Sequence, residues 1–175
     1  LAIAGLQELN DRRGETPERC GLIGGRYKRL WRTERDKRKE KGDSEPGLQE
    51  EADLDSAIEN YRKGMNLDLN EYYCLCNLPG LLRSRGGPGD EEDAAFLDRL
   101  TVLAAQRKIN RGEDDGWARS TLLGAAFRIA DVAKVAGLAR EVVREGPALW
   151  QLDSTMKDIR DTLDAMPESE IKRKL

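Results

Sequence analysis

Three kinds of residue in this chain could do chemistry. The stretch CGLIGGRYKRLW, Cys20 to Trp31, sets Gly21, Gly24 and Gly25 ahead of Arg26, Lys28 and Arg29. Glycines before basic residues are the material of a phosphate-cradling loop. Three aromatics each have a partner four residues on, Tyr27 with Trp31, Tyr73 with Asn77 and Trp117 with Thr121. Residues at i and i+4 share a helix face, so each pair could offer a ring beside a second side chain. Arg26 and Lys28 or Arg29 at one end of such a row would add positive charge for a phosphate and a partner for a stacked base. The third group is Cys20, Cys74 and Cys76, an odd number without C-x-x-C spacing.

What is missing narrows the chemistry. The chain has no histidine, which removes the usual general base and the commonest neutral metal ligand. The acidic runs Gly89–Asp93 and Gly112–Asp115 lack the ligand spacing of a calcium loop and suit helix entries, where carboxylates complement the positive end of the dipole. No catalytic constellation emerges, so the expectation is a non-enzyme with no metal and no cofactor. A net charge of −3 gives no global field for nucleic acid. The basic residues Arg35, Lys37, Arg38, Lys39 and Lys41 are interleaved with Glu34, Asp36 and Glu40, which blunts a phosphate-binding field, so nucleic acid is disfavoured as a partner. No apolar run reaches the ~20 residues of a membrane helix. Free or buried thiols fit a reducing compartment, hence the cytoplasm.

The elements that must position these residues are helical. Hydrophobic residues make up 38% and charged residues 36% of the 175, enough for a core. No convincing period-two strand is present. Ile3, Leu6 and Leu9 form a short stripe that Asn10–Gly14 stops, and it reads as the end of a helix cut in the middle, the chain being a module of a longer protein. Thr16, Pro17 and Glu18 read as N-cap, N1 proline and acidic first turn. A helix therefore begins near Pro17, before the glycines, and runs to about Arg32. A phosphate loop needs a strand there instead, so glycines that admit close helix packing are the better reading.

Residues 32–47 are charged and end in Gly and Pro, predicting a frayed helix end and a long exposed loop. A helix follows from about Leu48 to Asn66, with Leu54, Ile58, Tyr61 and Met65 inward. The next spans roughly 70–84, and Pro79 should kink it or shift its start. A further helix runs to about Asn110 with Phe96, Leu100 and Leu103 inward. Trp117–Ile129 and Val132–Arg144 are two more, joined around Ala130–Asp131. A last one carries Leu152, Met156, Ile159 and Leu163, and 166–175 is a frayed tail. The expected organisation is the end of a helix at 1–14, a repeat domain at 15–165 with the charged insertion at 32–47, and the tail.

The spacing of Ile23-Gly24-Gly25-Arg26-Tyr27 and Ala57-Ile58-Glu59-Asn60-Tyr61 matches the two halves of the tetratricopeptide pattern. The fold class expected is all-α, a tetratricopeptide-like stack of antiparallel helical hairpins, a short solenoid of about seven helices. The first helices of such hairpins line a concave groove. The candidate groove is Arg26, Tyr27, Lys28, Trp31, Tyr73, Asn77, Trp117 and Thr121, with inter-repeat core as the alternative for its aromatics.

ERCGLIGGRYKRLW, AIENYRKGMNLDLNEYYCLCN, EDDGWARSTLLGAAF and LWQLDSTMKDI, taken in order, resemble the TRAF-binding domain of apoptosis signal-regulating MAP kinase kinase kinases, and its bacterial relatives more closely. The matching stretches are Gly21–Lys28, Tyr72–Asn77 and Asp115–Thr121, over residues about 15–165. Leu75 stands where that family has glycine, which weakens any carry-over to Tyr72, Tyr73 and Asn77. The resemblance implies a regulatory and protein-interaction scaffold in a larger signalling protein, binding a protein partner or a linked effector domain, in bacteria within suspected defence systems. The residues leave a second function open, a sensor of a small anionic, nucleotide-derived ligand in the groove.

Overall fold

Thr16 accepts a hydrogen bond from the Arg19 amide at 3.2 Å and Pro17 takes the first helical turn, so the helix starts where its cap residues dictate. In the computed structural model, which describes residues 2–113 and 116–174, the chain forms nine helices and no strand among the described residues. They are α1 (Ala2–Arg13), α2 (Pro17–Lys41), α3 (Leu48–Leu67), α4 (Tyr72–Arg85), α5 (Asp90–Asn110), α6 (Ala118–Arg128), α7 (Val132–Glu145), α8 (Leu149–Ala165) and α9 (Glu170–Lys174). The fold is all-α and tetratricopeptide-like, built of antiparallel helical hairpins. The chain divides into two units, Leu1–Gly87 and Pro88–Leu175.

In the first unit α2 and α3 form the principal hairpin, α4 packs on α3, and α1 lies against α2. The side chain of Arg19 holds that entry, with Nε donating to Asn10 Oδ1 at 2.7 Å and Nη2 to the Gly14 carbonyl. The core is Cys20, Ile23 and Trp31 of α2, Leu54, Ala57, Ile58 and Tyr61 of α3, and Tyr72, Cys74, Leu75, Leu78, Leu81 and Leu82 of α4. Met65, expected inward, is half-buried. α4 runs through a fully buried Pro79 to its left-handed cap Gly86 (φ 65°), so the proline stands inside the helix and does not set its start.

The charged segment is a correction to the sequence expectation. Residues 33–41 continue α2 as helix, which ends at the left-handed Gly42 (φ 76°), leaving 42–47 as the loop. Lys, Arg and Glu are good helix formers, and i,i+3 ion pairs such as Lys37–Glu34 (2.8 Å) add to that preference. Arg38 also reaches back over the loop. Its guanidinium grips the buried Glu50 in two hydrogen bonds, at 2.8 and 3.1 Å, and donates to the carbonyls of Asp43 and Ser44 at 3.2 Å. The fork geometry holds the start of α3 against the end of α2.

In the second unit α6 is central, packing on α5, α7 and α8. Leu123, Ala126 and Phe127 of α6 meet Val135 and Val142 of α7 and Ile159 of α8, with Leu138, Leu152 and Leu163 at the margin. α5 docks on α6, and an ion pair joins them, Arg128 Nε to Asp98 Oδ1 at 2.6 Å, with the two side chains 7% and 0% exposed. The α6–α7 connection turns through Ala130 in the left-handed region (φ 56°). Two inward stripes are corrected here. Phe96 and Leu103 are 60% and 67% exposed and Leu100 is half-buried, because Ala94, Leu97, Asp98, Thr101, Ala104 and Ala105 take the inner face of α5. Met156 is 44% exposed, and Thr155 is buried in α8 instead. The tail contains the short α9, none of whose described residues is buried.

Candidate functional site

The glycines of α2 are filled by rings from its two neighbours. A Cβ at Gly21 would lie 2.7 Å from Cδ1 and Cε1 of Tyr73, and one at Gly25 would lie 3.0 Å from the Tyr73 hydroxyl. A Cβ at Gly24 would lie 3.0 Å from Cδ2 of Tyr61. The i,i+4 pair Gly21/Gly25 is thus a slot for Tyr73 of α4, while Gly24 receives Tyr61 of α3. Each interior glycine costs roughly 1 kcal/mol of helix propensity against alanine, and this close approach is what offsets it. A third glycine completes the junction. At Gly64 of α3 an added Cβ would collide with Cys74 Sγ and lie 3.1 Å from the Pro17 carbonyl.

Tyr61 and Tyr73 meet edge to face, centroids 6.0 Å apart at 81°, and their hydroxyls are hydrogen-bonded. Tyr73 keeps 39% of its surface exposed although its ring lies on the glycines. Burial pushes its phenol above the ordinary value, while the Tyr61 hydroxyl and the charge of Arg29 act in the opposite direction. One turn on, Lys28 Nζ donates to Asn77 Oδ1 at 2.8 Å, and Asn77 Nδ2 donates to the Tyr73 carbonyl at 2.8 Å. Helical spacing puts Arg29 on the same side as Gly21 and Gly25. Lys28, Arg29, Tyr73 and Asn77 therefore converge where α2 meets α4, making a face with two cations, an aromatic ring and an amide.

The other candidates lie elsewhere. Arg26 is on the exposed side of α2, and Tyr27 is half-buried. Trp31 is only 4% exposed, and the Arg35 guanidinium covers its ring at 4.8 Å from the centroid, so it belongs to the core. Trp117 caps α6 in the second unit and Thr121 donates its amide to the Trp117 carbonyl at 2.8 Å. Trp117 meets Trp150 in a tilted contact, centroids 5.5 Å apart at 59°, a partner not anticipated because the sequence around Trp150 reads only as a break before α8. Trp150 and the adjacent Leu149 are 66% and 85% exposed. Asp114 and Asp115, which carry part of the GEDD run and of the third family-like stretch, lie outside the described residues.

Two of the thiols, Cys20 and Cys74, are buried. Cys74 donates to the Pro17 carbonyl at 3.4 Å, and burial pushes its thiol up to about 12. Burial also raises Cys20, with Glu15 adding to the effect. A raised thiol pKa keeps sulfur protonated and weakly nucleophilic. No cluster of three or more Cys, Asp or Glu suited to a metal occurs among the described residues. No helix among them is long and apolar enough to cross a membrane.

Residues 1–82 match the family model described as Tetratricopeptide Repeats-Sensor. The Tetratricopeptide Repeats-Sensor match takes in α1, α2, α3 and all but the last residues of α4, and so includes both sides of the Tyr73 slot. No curated protein and no solved structure matches the chain. The first unit is a tetratricopeptide-like helical-repeat domain.

Proposed function

We propose that the chain is a non-catalytic regulatory module of a larger signalling protein, and that the α2/α4 face senses a small anionic, nucleotide-derived ligand. The observation that carries this reading is the Lys28–Asn77 hydrogen bond beside the exposed Tyr73. A phosphate oxygen competes for the Lys28 ammonium through a charge-assisted bond, which is stronger than the bond to a neutral amide. Release of Lys28 leaves the Asn77 oxygen able to accept from the ligand. Arg29 supplies a second cation, and the Tyr73 ring an aromatic surface for a base. Ligand binding thereby acts on the contact between α2 and α4, which is a route from occupancy to an effector. The word sensor in the matching family's description agrees with this reading. The resemblance to the TRAF-binding region of the signal-regulating kinases, and to its bacterial relatives, supports a linked effector domain and, in bacteria, a place in defence.

A second reading is favoured by the exposed Leu22 (40%) and Leu30 (46%) on α2, which suit a protein partner or a linked domain. A thermal-shift panel of ATP, ADP-ribose and cyclic dinucleotides against the chain separates the two. The sensor reading expects stabilisation by at least one nucleotide, lost in Lys28→Glu and weakened about tenfold in affinity, ~1.4 kcal/mol, in Asn77→Ala. A folded chain indifferent to every nucleotide would leave only the partner reading.

A further inference from the structure

α5 departs from the pattern of a surface helix with one apolar and one polar face. Ala94, Leu97, Thr101, Ala104 and Ala105 point inward. At 3.6 residues per turn, Phe96 and Leu103 point the opposite way, and they are 60% and 67% exposed. The same outer stripe carries Glu92 one turn before Phe96 and Arg107 one turn after Leu103, both exposed, with the half-buried Leu100 at its edge. In order the stripe is acid, phenylalanine, leucine, leucine, base. Phe96 and Leu103 are equidistant from the point between Arg99 and Leu100, as are Glu92 and Arg107, whose charges are opposite.

One occupant has the matching chemistry, a second copy of α5 running antiparallel. A twofold axis through the point between Arg99 and Leu100 sets Phe96 against Leu103 of the second copy, and Leu103 against its Phe96. The same register sets Glu92 against Arg107 of the second copy, and Arg107 against its Glu92. A parallel pair would oppose like charges and align the two helix dipoles. Self-complementarity under a twofold is the property an isologous interface requires. We infer that the outer face of α5 is the seam of an antiparallel homodimer, independently of what the α2/α4 face binds.

Sedimentation velocity on the full chain over a concentration series tests this. The expected result is a monomer–dimer equilibrium weakened at least tenfold in Phe96→Ser/Leu103→Ser. Both side chains are exposed, so circular dichroism of that variant should match the parent. Glu92→Arg and Arg107→Glu should each weaken the dimer several-fold by opposing like charges, and the doubly exchanged Glu92→Arg/Arg107→Glu should restore it. If either reversal disturbs the helix, Arg107→Gln and Glu92→Gln serve as neutral replacements, each expected to weaken the dimer less than the reversal does. A chain that stays monomeric at every concentration, a dimer indifferent to Phe96 and Leu103, or a charge exchange that fails to restore association would each overturn the inference.

Discussion

The first unit packs tyrosine rings onto glycines, while the second packs small aliphatic side chains around a buried ion pair. In the first, Gly21, Gly24, Gly25 and Gly64 leave room that Tyr73, Tyr61 and Cys74 fill, and the polar groups involved are phenols, thiols and one lysine–amide bond. In the second, Asp98 and Arg128 are joined at 2.6 Å among alanines and leucines, and one guanidinium nitrogen of Arg128, Nη2, is buried with no hydrogen-bond partner. Both arrangements let helices approach closely, but they are vulnerable to different insults. A glycine–ring contact fails when volume is added, whereas a buried ion pair fails when a partner is removed. The difference also leaves an aromatic ring near the surface of the first unit. Rings laid on glycine stay near the surface, and Tyr73 is still 39% exposed while making its core contact.

The largest expected effect is on the ion pair. Asp98→Ala leaves Arg128 buried and uncompensated and should cost about 3–5 kcal/mol. Hydrogen exchange should show the loss of protection first in α5 and α6. If the variant melts like the parent, the second unit is not organised by this pair.

Gly64→Ala should cost roughly 1–3 kcal/mol by overpacking, because the new methyl meets Cys74 Sγ and the Pro17 carbonyl. Gly137→Ala on α7, where a Cβ meets nothing within 4 Å, should instead stabilise by roughly 0.5–1 kcal/mol. Urea denaturation of the two variants measures the contrast, and equal effects would remove the case for glycine as a packing device in the first unit.

Base should distinguish the units as well. All three cysteines lie in the first unit, and Cys74, Cys20 and Tyr73 are acids whose folded pKa values are raised, chiefly by burial. Between a thiol's ordinary value and about 12 the folded state holds a proton at Cys74 that the unfolded chain has lost. Stability is therefore full below the ordinary value and declines as pH rises, by roughly 1 kcal/mol per unit for Cys74 alone. Cys74→Ala should flatten that decline, as read from denaturation midpoints in alkaline buffers. An unchanged slope would mean that the thiol is not sealed from water.

Much of the first unit was legible in local spacing. Thr16-Pro17-Glu18 announced the start of α2, and the i,i+4 glycines announced close neighbours, though not that the neighbours are tyrosines. The stripe Leu54, Ile58, Tyr61 gave α3 its inner face. The extension of α2 through Lys41 is not legible in composition alone, because a polar run suits a loop and, with charge pairs at helical spacing, a helix equally well. In α5 hydrophobicity misled, since the inner face is mostly alanine, Thr101 and Asp98 with Leu97 its one large apolar side chain, while Phe96 and Leu103 face out. The Asp98–Arg128 pair joins residues 30 apart and leaves no local signal. Of the candidate site, Lys28, Tyr73 and Asn77 come together, because α4 packs on α3 and also touches α2. Trp31 goes to the core, where Arg35 covers it, a contact that i,i+4 spacing permits but cannot distinguish from a groove.

The central claim is that the α2/α4 face of the first unit is where this module reads its signal. Hydrogen exchange on the full chain, with and without saturating nucleotide from the panel, tests it directly. The account predicts protection gathered at residues 24–31 and 72–78 and absent in Lys28→Glu. Protection centred instead on residues 117–121, or an exchange pattern that no nucleotide alters, would contradict it.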